Sequence, residues 1–301
     1  MASKPPTWPG GARCAVAISF DVDSDSLIHV TRPDDSYRLV NAISWLRYDQ
    51  VAIPNIVEMF RRFQLHQTFF FPAWCMEQYP ELVHAAQDDG HEIGLHGYLH
   101  EWPNRLSLEA EKALLEQSLG AFEKVTGTRP KGWRSPWGAS SENTADLLAE
   151  QGFVYDSSLM GDDLPYVLET KKGDLIEMPI DWTMDDWPQY VNVGDMDFMM
   201  PIKAPDDAMK VFLAEFDAAW EASGMWIANW HPFVSGRPSR LRQFARAIEY
   251  IQTKGSVWFA TLSEIAEHVR GLREAGTYQP RIDKLPYFTG PIVARSTPPT
   301  R

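Results

Sequence analysis

The chain has 301 residues, enough for one large α/β domain or two small ones, and its 44% hydrophobic content can fill a substantial core. A formal net charge of -13 argues against nucleic acid or an anionic membrane surface as a partner. Only two cysteines occur, Cys14 and Cys75, and neither belongs to a C-x-x-C pair, so no disulfide framework is expected. No apolar run reaches the length of a membrane span, and prolines stand where a signal peptide needs its apolar stretch, so a cytoplasmic location is expected.

Residues 1 to 12 read as a Pro/Gly-rich arm, 13 to 272 as a single body, and 273 to 301 as an irregular extension. The run Cys14-Ala15-Val16-Ala17-Ile18-Ser19-Phe20 is nearly all apolar, as a strand covered on both faces requires. It ends in Asp21-Val22-Asp23-Ser24-Asp25. These alternating acids suggest a calcium loop, but Ser26 stands where glycine is needed and Arg32 where the bidentate Glu should be. In an extended backbone Asp21 and Asp23 point the same way and can share one site. Residues 24 to 50 read as a long irregular connection whose Trp45, Leu46 and Tyr48 suit a substrate-covering loop. A helix follows, with Pro54 near its start and Ile56, Met59, Phe60 and Phe63 on one face.

Residues 67 to 72 form a second buried strand, and residues 80 to 89 a helix closed by Gly90. Next comes His91-Glu92-Ile93-Gly94-Leu95-His96-Gly97-Tyr98-Leu99-His100-Glu101, holding three of the eight histidines. It opens like H-E-x-x-H, but the next histidine falls one place late, so the zincin helix does not fit. Residues 92 to 95 read better as a buried strand ending at His96. If the chain turns helical after Leu95, His96 and His100 stack on one face. Two neutral imidazoles on one side begin a divalent-metal site that a carboxylate from elsewhere would complete. Glu101, beside them, is a candidate to support a ligand.

A long amphipathic helix is expected over 106 to 125, followed by Lys131-Gly132-Trp133-Arg134-Ser135-Pro136-Trp137-Gly138. A helix at 143 to 151 leads into a strand at 153 to 156, and a strand at 175 to 180 opens onto Asp181-Trp182-Thr183-Met184-Asp185-Asp186-Trp187. Beyond a helix near 206 to 221, the strand 225 to 230 ends at His231; helix 239 to 253, strand 257 to 259 and helix 263 to 270 close the body. Strand and helix alternate in the rhythm of a parallel α/β barrel. Asp21 with Asp23, His96, Arg134, Asp181 and His231 fall at the C-terminal ends of five separate expected strands, which converge on one mouth in such a barrel. His29, His66, His84, His91 and His268 lack this context and read as structural or solvated.

These residues in this order resemble the polysaccharide deacetylase family, the carbohydrate esterases with a NodB homology domain. The motifs are Ser19-Phe20-Asp21-Val22-Asp23, His96-Gly97-Tyr98-Leu99-His100, Arg134-Ser135-Pro136-Trp137-Gly138, Asp181-Trp182 and Trp230-His231. The resemblance implies a distorted (β/α) barrel and a divalent metal, usually zinc, held by Asp23, His96 and His100. It further implies Asp21 as general base with Arg134 beside it, His231 as general acid, and Asp181 as a candidate for tuning His231, with Asp185 and Asp186 as rivals. Val22 separates two aspartates that are usually adjacent. That form resembles the branch with a Helicobacter-type peptidoglycan deacetylase, allantoinase-like proteins and cyclic imide hydrolases, which act on small amides and are often homo-oligomers. The implied activity is metal-dependent hydrolysis of a non-peptide amide bond on a small or sugar N-acyl substrate. Two readings stay open beside it: a metal-free hydrolase of cyclic imides or ureides on the same scaffold, and a catalytically silent carbohydrate-binding protein.

Overall fold

The computed structural model describes residues 4–292. Twelve strands follow in chain order: β1 (Cys14–Asp21), β2 (Thr68–Phe71), β3 (Glu92–Leu95), β4 (Gly132–Trp133), β5 (Tyr155–Asp156) and β6 (Tyr166–Thr170), then β7 (Gly173–Glu177), β8 (Asn192–Val193), β9 (Phe198–Met199), β10 (Met225–Trp230), β11 (Val257–Phe259) and β12 (Ile282–Lys284). Ten of them share one sheet in the order β10-β1-β2-β3-β4-β5-β7-β6-β12, with β11 also on β1. Every pairing in it is parallel except the β6–β7 hairpin. Helices cross between successive strands, so this is the α/β fold of a distorted barrel. Among the described residues, the segment after β7 meets β10 through a single isolated parallel bridge, Asp185 to Asn229.

β1 shows why the sequence puts polar groups inside. Its residues alternate faces, so Val16, Ile18 and Phe20 pack in the larger apolar cluster with the helices, and Ala15 and Ala17 pack in the other. Ser19 and Asp21 continue the Ala15–Ala17 series. Small residues at its start and polar ones at its end place Asp21 at the C-terminal rim of the strands.

Three expectations change. Residues 24 to 50 are mostly helical rather than irregular, with helices Ser26–Thr31 and Val40–Leu46 around the turn Ser36–Arg38. Buried Leu27, Ile28, Ala42 and Leu46 anchor them, but two turns are too short to display a helical period. The strand expected at 175 to 180 ends at Glu177 and is the second arm of a hairpin. The extension is not wholly irregular, since β12 adds to the free edge of β6.

Candidate active site

Arg134 follows β4 and lies 1% exposed beneath the sheet's C-terminal rim. Its Nη1 donates to Asp21 Oδ1 at 2.9 Å, Ser19 Oγ at 2.9 Å and Asn229 Oδ1 at 2.7 Å. Its Nε and Nη2 donate to the carbonyl and hydroxyl oxygens of Ser157, each at 3.0 Å. The guanidinium also sits 4.4 Å above the ring of Phe70. Burial pushes the Asp21 carboxyl up, but the Arg134 charge, then His96 and His231, outweigh it and hold Asp21 below its ordinary value. Asp21 is therefore an ionised, oriented carboxylate. Ser19, Ser157 and Asn229 complete this support and have no signal in sequence, because an uncharged polar residue in an apolar run looks like strand filler.

Two residues on, Asp23 faces both histidines. Its Oδ1 lies 3.4 Å from His96 Nε2 and 3.7 Å from His100 Nε2. The imidazoles meet edge to face, with centroids 5.0 Å apart. They do not get there on a helix: Gly97 and His100 both take positive φ, 75° and 68°, and the loop folds His100 back beside His96. Glu101 accepts the Leu99 amide within that loop at 2.8 Å. His96 Nδ1 donates to the Arg134 carbonyl at 2.6 Å, which leaves the Nε2 lone pair turned toward Asp23. Burial lowers the His96 pKa to about 4 and holds that of His100 well below its ordinary value, so both are neutral donors.

These residues fit a divalent ion. Asp23 Oδ1 is buried without a hydrogen-bond partner among the described residues, which is costly for a carboxylate oxygen taken out of water. Ligands about 2.0–2.2 Å from a tetrahedral ion stand about 3.3–3.6 Å from one another, close to the separations seen here.

His231, just beyond β10, completes the ring of groups. Its Nδ1 donates to Asp186 Oδ1 at 2.7 Å, and its Nε2 points at Asp23 Oδ2, 3.4 Å away. Asp186 is itself fixed by the His231 amide at 3.1 Å and the Ser235 hydroxyl at 2.5 Å. Burial works to deprotonate His231, but Asp186, Asp185 and Asp23 overcome it and raise its pKa well above the ordinary value. Asp181 is not part of this cluster. It is exposed and caps its own turn, accepting from the Thr183 amide at 2.7 Å and from the Thr183 hydroxyl. The main chain advances through the turn Trp182–Met184 before it meets Asn229, so Asp185 and Asp186 arrive where Asp181 was expected.

Asp21, Asp23, His96, His100, Arg134 and His231 all line one cavity of about 650 Å³, counted with the space that opens to solvent. Leu27, Trp137, Trp182, Trp187 and Phe198 wall it. Trp187 touches both His231 and Phe198, at centroid distances of 5.5 Å, so the β8–β9 ribbon covers the His231 side. Among the described residues, no helix is long and apolar enough to cross a membrane.

A buried carboxylate held by an arginine, a three-donor cluster and a buried imidazole paired with a carboxylate meet at one mouth, the composition of a candidate hydrolytic site. A family model described as polysaccharide deacetylase matches residues 34–155, the part holding His96, His100 and Arg134. The peptidoglycan deacetylase of Helicobacter pylori is 30% identical over 244 residues, which cover 72% of this chain and 83% of that protein. A Mycobacterium smegmatis crystal structure assigned to the polysaccharide deacetylases superposes with a TM-score of 0.89 at 36% identity, over 97% of this chain and 99% of that one. An allantoinase shares the fold, with a TM-score of 0.76 at 24% identity over 92% of this chain and 96% of its own. The chain belongs to the polysaccharide deacetylase family. It is a hydrolase of carbon–nitrogen bonds other than peptide bonds.

Proposed function

We propose that the chain is a metal-dependent deacetylase that removes an N-acyl group from a small or single-sugar substrate, with zinc as its ion. The observation that carries this reading is the unpartnered Asp23 Oδ1 between two neutral imidazole nitrogens, in a cavity that also holds a base and an acid. Asp23, His96 and His100 would hold the ion, which polarises the scissile carbonyl and acidifies water when bound. Asp21, kept ionised by Arg134, takes the proton from the attacking water. His231, protonated against Asp186, gives one to the leaving nitrogen. The aromatic walls leave room for a compact substrate rather than an open polymer groove.

The test is metal content by elemental analysis of protein purified without added metal, on the wild type and on His100→Ala. About one equivalent of zinc in the wild type, lost in the variant, is expected from three protein ligands. A metal-free wild type that turns over cyclic imides or ureides would replace this reading with metal-free hydrolysis on the same scaffold.

A further inference from the structure

One fully buried carboxylate near the site is used by none of the steps above. Asp49 is the first residue of the helix Asp49–Phe63 and is 0% exposed. Its Oδ2 accepts the backbone N–H of Ser24 at 3.2 Å. Ser24 follows Asp23 directly and sits at a φ of 47°, in the left-handed region that a non-glycine residue rarely enters unsupported. The other end of the same peptide unit is gripped as well. The Asp23 carbonyl accepts from the Ser26 amide at 3.2 Å, the Ser26 hydroxyl at 2.6 Å and the Cys75 thiol at 3.0 Å. The peptide bond leaving Asp23 is thus held at its C=O by Ser26 and Cys75, and at its N–H by Asp49.

We propose that Asp49 is a positioning residue for the metal centre. It locks the peptide after Asp23, and so the direction of the Asp23 carboxylate. Anchoring groups behind a metal ligand set its orientation, and their loss typically lowers affinity 10–100-fold. This inference rests on Asp23 being a metal ligand.

The probes are zinc alone, by competition with a chromogenic chelator, and cobalt(II) alone, by its visible absorption. They are applied to the full-length wild type, Asp49→Ala and Asp49→Asn. Asparagine keeps an acceptor for the Ser24 amide and alanine does not. Asp49→Ala is expected to bind zinc about 10–100-fold more weakly, with altered cobalt bands, and Asp49→Asn to recover most of both. Wild-type affinity and spectrum in Asp49→Ala would overturn the inference. Equal weakening in both variants, matched by equal loss of metal-free thermal stability, would also overturn it, by reducing Asp49 to a fold element. A wild type that binds neither ion would overturn the metal reading itself and this inference with it.

Discussion

His231 is buried among aromatic rings, which alone would strip its proton, and it keeps that proton because Asp186 meets Nδ1 at 2.7 Å. Asp186→Asn removes that charge and preserves the shape. The His231 pKa, followed by NMR titration of its ring protons, is expected to fall toward or below its ordinary value. Turnover of an N-acetyl substrate should drop by about 10²–10⁴-fold, the range typical of a lost general acid. Asp181→Ala should leave both quantities unchanged, since Asp181 bonds only within its own turn. An unshifted His231 in Asp186→Asn would remove Asp186 from the mechanism. At this scale the sequence shows charged residues well: Asp21, His96, Arg134 and His231 each end or follow a strand, and that position is readable. It does not choose among Asp181, Asp185 and Asp186, because the choice depends on how many residues the turn consumes. Nor does it reveal Asp49, whose place at a helix start looks like ordinary first-turn acid chemistry.

Single elements place these side chains, and β4 does so with the least material. It has two residues, Gly132 and Trp133, and delivers Arg134. A Cβ on Gly132 would lie 2.0 Å from Tyr155 Cζ and 2.1 Å from its hydroxyl oxygen. The tyrosine cannot step aside, because it is fully buried and its hydroxyl donates to Glu92 at 2.9 Å. Gly132→Ala is therefore expected to cost about 1–3 kcal/mol, seen as a lower urea midpoint at unchanged slope. Activity should fall further than stability, since β4 must shift and Arg134 with it. A wild-type midpoint would show that the strand has room to move. Long elements such as the helix Leu108–Thr126 are legible in sequence because several turns display a period and caps mark the ends. The short helices of 24 to 50 and the loop that brings His100 to His96 are not, because tertiary packing and positive φ fix them.

The parallel α/β architecture is legible for a physical reason: each central strand is covered on both faces and must be apolar along its length, while each connection must be a helix. The barrel's seam is not legible, since one bridge replaces a strand there. The whole fold also carries a pH dependence set far from the mouth. His91 precedes β3, wedged between Phe60 and Phe69 at centroid distances of 5.3 and 5.2 Å, and its Nδ1 accepts the Gln67 amide at 3.0 Å. Burial brings its pKa down to about 4, against about 6.5 in the unfolded chain. Between those values the unfolded state binds the proton and the folded state does not, so stability rises with pH across the window and is lost on acidification. At pH 5 the cost is on the order of 2 kcal/mol. Removing the imidazole isolates this effect from other titrating groups. His91→Gln keeps an acceptor for the Gln67 amide, so the gap in unfolding free energy between wild type and variant should shrink by about 2 kcal/mol from pH 7.5 to pH 5. Urea titrations of both proteins, each with chelator present so that metal release does not contribute, measure it. A gap independent of pH would mean that His91 binds its proton equally well in the folded and unfolded chain.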